Sequence, residues 1–332
     1  MSITTAWSNE FLVNTTTTSD QSKSTITALA DGRFVVAWTD KSATGGDTDG
    51  LAIRAQLFTA DGRKAGGELL VNSTTISTQI DPKITALADG HFVVAWTDSS
   101  ATCCDTDGTA IRAQVFNTDG SKAGDELLIN TTTISLQRQP AITALGDGRF
   151  VVTWSDYSGA PGIRAQLFHA DGTRDGGERL VTTTSGDRRE ASISGLSDGR
   201  FVVTWTDNST SVSGTRRQVI RGQLFRADGS KDGGELLVNT TTERDQYQST
   251  ILALADGRFV IAWTDARSGG GDQNRDGIRF QLFHADGSKD GGERRVNTMT
   301  SSHQTESTGT ALADGRYVIA WTDARSGGGA SG

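Results

Sequence analysis

The sequence predicts an all-β protein built from repeated four-stranded sheets, and three observations carry this prediction. A hairpin phrase, TALADGRFVVAWTD in its first copy (Thr27–Asp40), occurs six times with small changes. Its turn aspartates recur at intervals of 58, 58, 51, 58 and 58 residues. Each of the first five copies is followed by a second hairpin, first seen as IRAQLFTADGRKAGGELLVN (Ile53–Asn72). Two hairpins in each of six repeats favour the stacked blades of a six-bladed β-propeller.

Each repeat contains four strands, denoted A to D in chain order. Strand A covers the TALA segment, and strand B follows an Asp-Gly turn, which supplies the backbone conformation that a tight hairpin needs. Strand B is apolar on both faces, as in Phe34–Trp38, and is therefore expected between two layers. Strands C (IRAQLF) and D (ELLVN) mix charged and apolar residues and are expected nearer to solvent.

The two chain ends are expected to build the last blade together. The sixth repeat contains strands A and B and stops before strand C. Ile3–Trp7 matches strand C and Glu10–Asn14 matches strand D, so the closing blade combines residues 1–14 with residues 303–332. The whole chain, residues 1–332, then forms a single domain. Such closure removes sheet edges that would otherwise pair with other chains.

The antiparallel order places the A–B and C–D turns on one face of the disc. The D–A and B–C loops lie on the other, which we call the variable face because its loops differ between repeats. The B–C loop reads KSATGGDTDGLA in the first repeat and YSGAPG in the third. Divergent loops on a rigid scaffold are typical of a binding surface.

The repeat order resembles that of NHL-type six-bladed propellers. More closely, ALADGRFVVAWTD followed by IRAQLFTADGRKAGGELLVNTTT resembles repeats of large secreted bacterial proteins of the RTX, calcium-binding type. A glutamine ahead of strand A belongs to this pattern and occurs at Gln21, Gln79, Gln137, Gln246 and Gln304, with Arg188 in the fourth repeat. The resemblance implies an extracellular or cell-surface, adhesin-like setting and no catalytic residues. The GGxGxDxUx nonapeptides of the RTX type do not occur in this sequence.

Composition narrows the classes of function. A net charge of −8 and a pI near 5.1 argue against a nucleic-acid partner, which normally requires a basic face. No apolar stretch approaches the ~20 residues of a membrane span, and no Sec-type signal is visible, so membrane insertion is not expected. The adjacent Cys103 and Cys104 are expected to be free thiols, with a strained vicinal disulfide as the alternative.

The ends of the B strands carry the residues expected to bind a ligand at the edge of the variable face. Each strand ends in a tryptophan, with an aspartate two residues later. Tryptophan rings stack on sugars and carboxylates accept bonds from sugar hydroxyls; interblade packing and loop capping are the alternatives. An arginine-rich sector in repeats four to six could hold an anionic glycan. The predicted ligand-binding residues are Trp38, Asp40, Trp96, Asp98, Trp154, Asp156, Trp205, Asp207, Trp263, Asp265, Arg267, Trp321, Asp323 and Arg325.

Aspartates in three B–C loops are candidate calcium ligands, so Ca²⁺ is a candidate cofactor. Oxygen ligands at alternate positions before a glycine suit a calcium loop, although the distal glutamate of an EF-hand is missing. The candidates are Asp47, Asp49, Asp105, Asp107, Asp272 and Asp276.

These features favour a non-enzymatic, lectin- or adhesin-like module that binds a carbohydrate or cell-surface glycan. Several quasi-equivalent sites on the variable face would act together through avidity. One alternative is a propeller enzyme, such as a lactonase or polysaccharide lyase, with its site at the central channel. That alternative requires a buried calcium or a clustered acid–base pair near the axis. The other is a scaffold for self-assembly, and the sequence leaves the oligomeric state open.

Overall fold

The computed structural model describes residues 10–102, 105, 107–183, 186–208, 211–212, 215–242, 244–266, 276–298, 302–312 and 314–324. These ranges contain 24 β-strands. None of the described residues belongs to a helix that is long and apolar enough to cross a membrane. Several sequence-based predictions fall outside the described residues, namely those for Ile3–Trp7, Cys103, Cys104, Arg267, Asp272 and Arg325.

Five sheets have four antiparallel strands in the order A–B–C–D. Blade 1 contains β1 (Gln21–Ala28), β2 (Phe34–Asp40), β3 (Ala52–Phe58) and β4 (Leu69–Leu70). Blade 2 contains β5 (Gln79–Ala86), β6 (Phe92–Asp98), β7 (Ala110–Phe116) and β8 (Leu127–Leu128). Blade 3 contains β9 (Gln137–Ala144), β10 (Phe150–Asp156), β11 (Gly162–Phe168) and β12 (Arg174–Leu180). Blade 4 contains β13 (Arg188–Gly195), β14 (Phe201–Asp207), β17 (Val219–Phe225) and β18 (Lys231–Leu237), with β15 (Ser211–Val212) and β16 (Thr215–Arg216) as a hairpin in its B–C loop. Blade 5 contains β19 (Gln246–Ala253), β20 (Phe259–Asp265), β21 (Gly277–Phe283) and β22 (Lys289–Arg295).

The sixth blade is a two-stranded sheet of β23 (His303–Ala311) and β24 (Tyr317–Ala324). The inner A strands of successive blades pack on one another from blade 1 to blade 6. The repeated antiparallel sheets confirm the all-β, six-bladed propeller. Glu10–Asn14, predicted as strand D, is not a strand in the structure. The residues after it nevertheless contact blade 1, since Glu68 accepts a bond from the Thr16 amide at 3.0 Å.

The hydrophobic core lies between blades rather than within a single sheet. Val93 and Ala95 of blade 2 pack against Val152 and Trp154 of blade 3, and the other interfaces repeat this pattern. Strand C is buried as fully as strand B in the first two blades, which corrects the expectation that it lies near solvent. The reason is that its polar side chains find partners inside the interface, as the Gln114 amide does with backbone carbonyls.

Candidate functional site

Five of the six tryptophans that end strand B are buried, and four of them pack against the preceding blade. Trp96, for example, exposes no surface and packs against Val35 and Ala37 of the preceding blade. A ring without an exposed face cannot stack on a sugar, so the expected sugar-stacking role does not fit these positions, and interblade packing does. The five are Trp38, Trp96, Trp154, Trp205 and Trp263. Trp321 of blade 6 differs, with 37% of its surface exposed among the described residues.

The aspartate that ends strand B is the centre of a buried polar cluster. In blade 2, Asp98 accepts hydrogen bonds from Gln79 Nε2 at 3.0 Å, Ser100 Oγ at 2.6 Å and Arg112 Nε at 2.6 Å. Arg112 also forms an ion pair with Glu126, which precedes strand D, with 3.1 Å between Arg112 Nη1 and Glu126 Oε1. The carboxylate is therefore occupied in joining strands A, B and C, as the capping alternative requires. The strand C arginine makes the same bond in five blades, to Asp40, Asp98, Asp156, Asp207 and Asp265.

The last predicted ligand residues lie in blades 4 to 6. Asp323 accepts a bond from Gln304 Nε2 at 3.5 Å, which follows the pattern of the other blades. Arg188, part of the arginine-rich sector, is buried and lies 3.8 Å from Asp207. It thus occupies the inner-strand position that glutamine holds elsewhere and does not reach the surface.

The Asp-x-Asp-Gly pattern of the blade 1 loop is explained by contacts with protein donors. Asp47 accepts a bond from Asn72 Nδ2 at 2.7 Å, and Asp49 accepts one from the Ser77 amide at 3.1 Å. Gly50 has φ of +91°, and a Cβ there would lie 2.3 Å from the Ser77 carbonyl oxygen. Glycine is required because the two loops touch through their backbones. The pattern therefore fastens the B–C loop to the D–A loop.

The blade 2 loop repeats these contacts. Asp105 accepts a bond from Asn130 at 2.7 Å and Asp107 one from the Ser135 amide at 3.1 Å. Burial raises the pKa of Asp105, although the Asn130 bond opposes the shift. Within the described residues, no group of three or more His, Cys, Asp or Glu side chains is arranged to hold a metal ion.

Every inner strand contains a β-bulge at its third or fourth residue, and these bulge residues line the central channel. In β5 the pairing register shifts between Ile80 and Lys83, and Asp81 has φ of 57°. A bulge re-aims its side chain, here into the channel. The six bulge residues, with φ between 53° and 57°, are Lys23, Asp81, Gln139, Glu190, Gln248 and Glu306. All six line one cavity of about 470 Å³, a volume suited to a small ligand.

Two glutamates of this channel ring are held by threonine hydroxyls. Glu190 Oε2 accepts bonds from Thr206 Oγ1 at 3.0 Å and from the Gln248 amide at 3.3 Å. Glu306 Oε2 accepts a bond from Thr322 Oγ1 at 3.3 Å. The threonines are those of the Trp-Thr-Asp phrase, so strand B positions the carboxylates that strand A carries.

Two lysines also line the channel. Lys23 Nζ lies 3.6 Å from Asp81 Oδ1. Lys83 follows the Asp81 bulge and lines the same cavity. The surrounding protein desolvates its ammonium and lowers the pKa of Lys83; the charge of Asp81 opposes this shift and that of Lys23 adds to it. Carboxylates from blades 2, 4 and 6 thus share a cavity with ammonium groups from blades 1 and 2. This is the clustered acid–base arrangement near the axis that the enzyme alternative requires.

A second polar cluster lies where the inner strands of blades 5 and 6 begin. Asp276 Oδ2 accepts a bond from the Tyr247 hydroxyl at 3.1 Å and lies 3.0 Å from His303 Nδ1. Burial, with the nearby charge of Asp276, raises the pKa of Tyr247. Asp276 was a candidate calcium ligand, and here it joins the two inner strands next to the channel ring.

Sequence reasoning missed the channel ring. Its members stand two residues after the repeated glutamine or Arg188, in a segment assigned to a loop. The available signal was a polar residue that changes between lysine, aspartate, glutamine and glutamate while the flanking text repeats.

Comparisons with known proteins show the fold. No family model matches the chain, and no curated protein matches it. The NHL-type and RTX-type resemblance therefore gains no support beyond the propeller. A protein of unknown function from Dyadobacter fermentans is similar in structure, with TM-score 0.57 and 12% identity over 91% of this chain and 90% of that chain. The NanB sialidase from Streptococcus pneumoniae has TM-score 0.59 and 10% identity over 91% and 65%. A GH93 α-L-arabinofuranosidase of Fusarium graminearum has TM-score 0.50 and 11% identity over 73% and 74%.

The prediction of a non-enzymatic binding module is corrected by these findings. Two of the three similar structures are glycoside hydrolases, so this architecture is one that carries glycan-cleaving enzymes. The tryptophans and aspartates that suggested a lectin-like surface are, in five blades, buried structural residues. Among the described residues, the channel gathers polar groups from all six blades into one cavity.

Proposed function

We propose that this protein is an enzyme that cleaves glycosidic bonds, with its active site in the central channel. The observation that carries the proposal is that three carboxylates, those of Asp81, Glu190 and Glu306, line one cavity. Each of these residues lies at a β-bulge and has a positive φ angle. Backbone strain of this kind is commonly kept at functional sites. The fold shared with glycoside hydrolases supports a carbohydrate as the substrate.

Glycoside hydrolysis needs two carboxyl groups that flank the bond to be cleaved. One protonates the leaving oxygen, and the other acts as base or nucleophile at the sugar carbon. Glu190 and Glu306 suit these roles best, because each carboxylate accepts a hydrogen bond from a threonine hydroxyl. They lie on blades 4 and 6, with blade 5 between them. Asp81 is engaged by Lys23 and serves instead to hold that side chain.

A substrate screen with matched variants tests the proposal. The wild-type protein is incubated with arabinofuranosides, sialosides and uronic-acid-containing glycans, and new reducing ends are quantified by chromatography. Glu190→Gln and Glu306→Gln should each lower the rate by roughly 10²-fold or more, the usual loss of a general acid or base. Asp125→Asn is the control, since Asp125 is an exposed carboxylate on an outer turn, and it should keep the wild-type rate.

Three results would contradict the proposal. These are no cleavage of any glycan, wild-type rates in both glutamine variants, and an unsaturated uronate product, which would indicate elimination by a lyase instead. Circular dichroism on each variant confirms that a lost rate does not reflect lost folding. The extracellular or cell-surface setting stays a prediction from the repeat resemblance.

A further inference from the structure

Lys83 is out of place in an otherwise repeated strand. It stands two residues after the bulge, where the other inner strands carry small side chains. Those equivalents are Thr25, Ala141, Ser192, Thr250 and Thr308. Five of six blades therefore form the same bulge without a lysine, so the fold does not require one at this position.

The Lys83 side chain lines the channel cavity and is exposed to it. No described residue accepts a hydrogen bond from its ammonium or forms an ion pair with it, and Asp81 is paired with Lys23 at 3.6 Å. The surrounding protein desolvates the group enough to lower the pKa of Lys83. A partly desolvated ammonium is stabilised by an anion that enters the cavity.

The channel ring carries both charges. Lys23 and Lys83 come from blades 1 and 2, and Glu190 and Glu306 from blades 4 and 6. Blade 4 lies across the six-bladed ring from blade 1, whereas blade 6 is its neighbour. A ligand in this one cavity can therefore reach the Lys83 ammonium and the carboxylates proposed for bond cleavage together, and the ammonium favours an acidic group on the ligand.

We propose that the substrate of this channel is an anionic glycan, whose sugar carboxylate binds the Lys83 ammonium. Lys23 adds positive potential without replacing this contact, because it is already paired with Asp81. The inference rests on the proposed function, since it names the substrate class of the same cavity. It places uronic and sialic acids ahead of neutral pentoses and hexoses.

Calorimetry with monosaccharides tests the carboxylate contact directly. Wild-type protein should bind D-glucuronate or N-acetylneuraminate at least about tenfold more tightly than methyl glucoside, the discrimination expected of one charge-assisted contact. Lys83→Thr, which installs the residue of three other blades, should abolish this discrimination, and Lys83→Arg should retain most of it. Lys122→Thr makes the same change of charge on an outer turn, where Lys122 donates to Ser73 at 2.8 Å, and should behave as wild type.

Two arms separate this inference from the proposed function. Equal affinity of the wild type for the acidic and neutral sugars, or unchanged discrimination in Lys83→Thr, overturns the inference. If the wild type and Lys83→Thr then cleave neutral glycosides equally, the proposed function stands alone. If discrimination depends on Lys83 and no glycan is cleaved, the carboxylate site stands and the proposed hydrolysis fails.

Discussion

Asp98→Asn tests whether the aspartates at the ends of the B strands serve the fold. The substitution keeps the shape of the side chain but removes the charge that Arg112 contacts at 2.6 Å. It also turns an amide group toward the donors of Gln79 and Ser100. Asp98 is 1% exposed and Arg112 5%. Breaking one partner of a buried pair costs ~3–5 kcal/mol, and because Arg112 keeps Glu126 at 3.1 Å we expect the lower end.

Thermal and urea unfolding followed by circular dichroism measure this cost. A loss of about 3 kcal/mol should lower Tm by roughly 4 °C in a chain of this size, since the unfolding entropy is about 2.1 cal/mol/K per residue. The matched control is Asp125→Asn, an exposed position where the change should stay within about 0.5 kcal/mol. Equal unfolding midpoints for the two variants, together with altered glycan binding by Asp98→Asn, would refute the structural role and return Asp98 to the ligand site.

Three further predictions concern acid stability, the channel lysine and ring closure. Burial raises the pKa of Asp40 and Glu68, but hydrogen bonds outweigh it and hold both below their ordinary values of 3.8 and 4.5. The two carboxylates should therefore stabilise the fold at pH values above their ordinary pKa, and this stabilisation should be lost as the pH falls through their lowered pKa in the folded protein. A urea unfolding midpoint that does not fall as the solution is acidified would contradict this. An NMR titration should show that the Lys83 ammonium loses its proton with a pKa below the ordinary 10.5. Asp81→Asn should lower this pKa further, because the charge of Asp81 raises it, and an unchanged Lys83 pKa in that variant would contradict the reasoning. Deleting residues 1–9 should speed amide exchange in β24 by removing the predicted strand C, and equal exchange rates would count against that closure.

The repeat architecture was predictable because its signals are local. Asp-Gly turns and apolar strands lie within one hairpin, so the ends of strand B were placed to within about one residue. Strand A begins earlier than predicted, at Gln21 rather than at Thr27, since Gln21 pairs with Asp40 across a bulge. The bulge has no glycine to mark it, and a non-glycine residue at positive φ is invisible in the sequence.

The burial of most predicted ligand-binding residues was not visible in the sequence for a different reason. Sequence alone cannot tell a tryptophan at the rim of a sheet from one between two sheets, and Trp96 owes its burial to side chains of the preceding blade, such as Val35. Glu190 and Glu306 lie 116 residues apart in the sequence and come to line one cavity only because the inner strands of blades 4, 5 and 6 pack side by side. A site assembled from long-range contacts leaves little trace in any one repeat.

The most direct test of the channel site is a crystal structure of the Glu190→Gln variant with a bound acidic oligosaccharide. The slowed variant should retain its ligand long enough for its position to be seen. We expect the sugar within the ring of inner strands, with a carboxylate at Lys83 and a glycosidic oxygen near Glu306. A sugar bound only on the loops of the variable face, or in the groove between blades 2 and 3 beside Arg174, would contradict a catalytic channel.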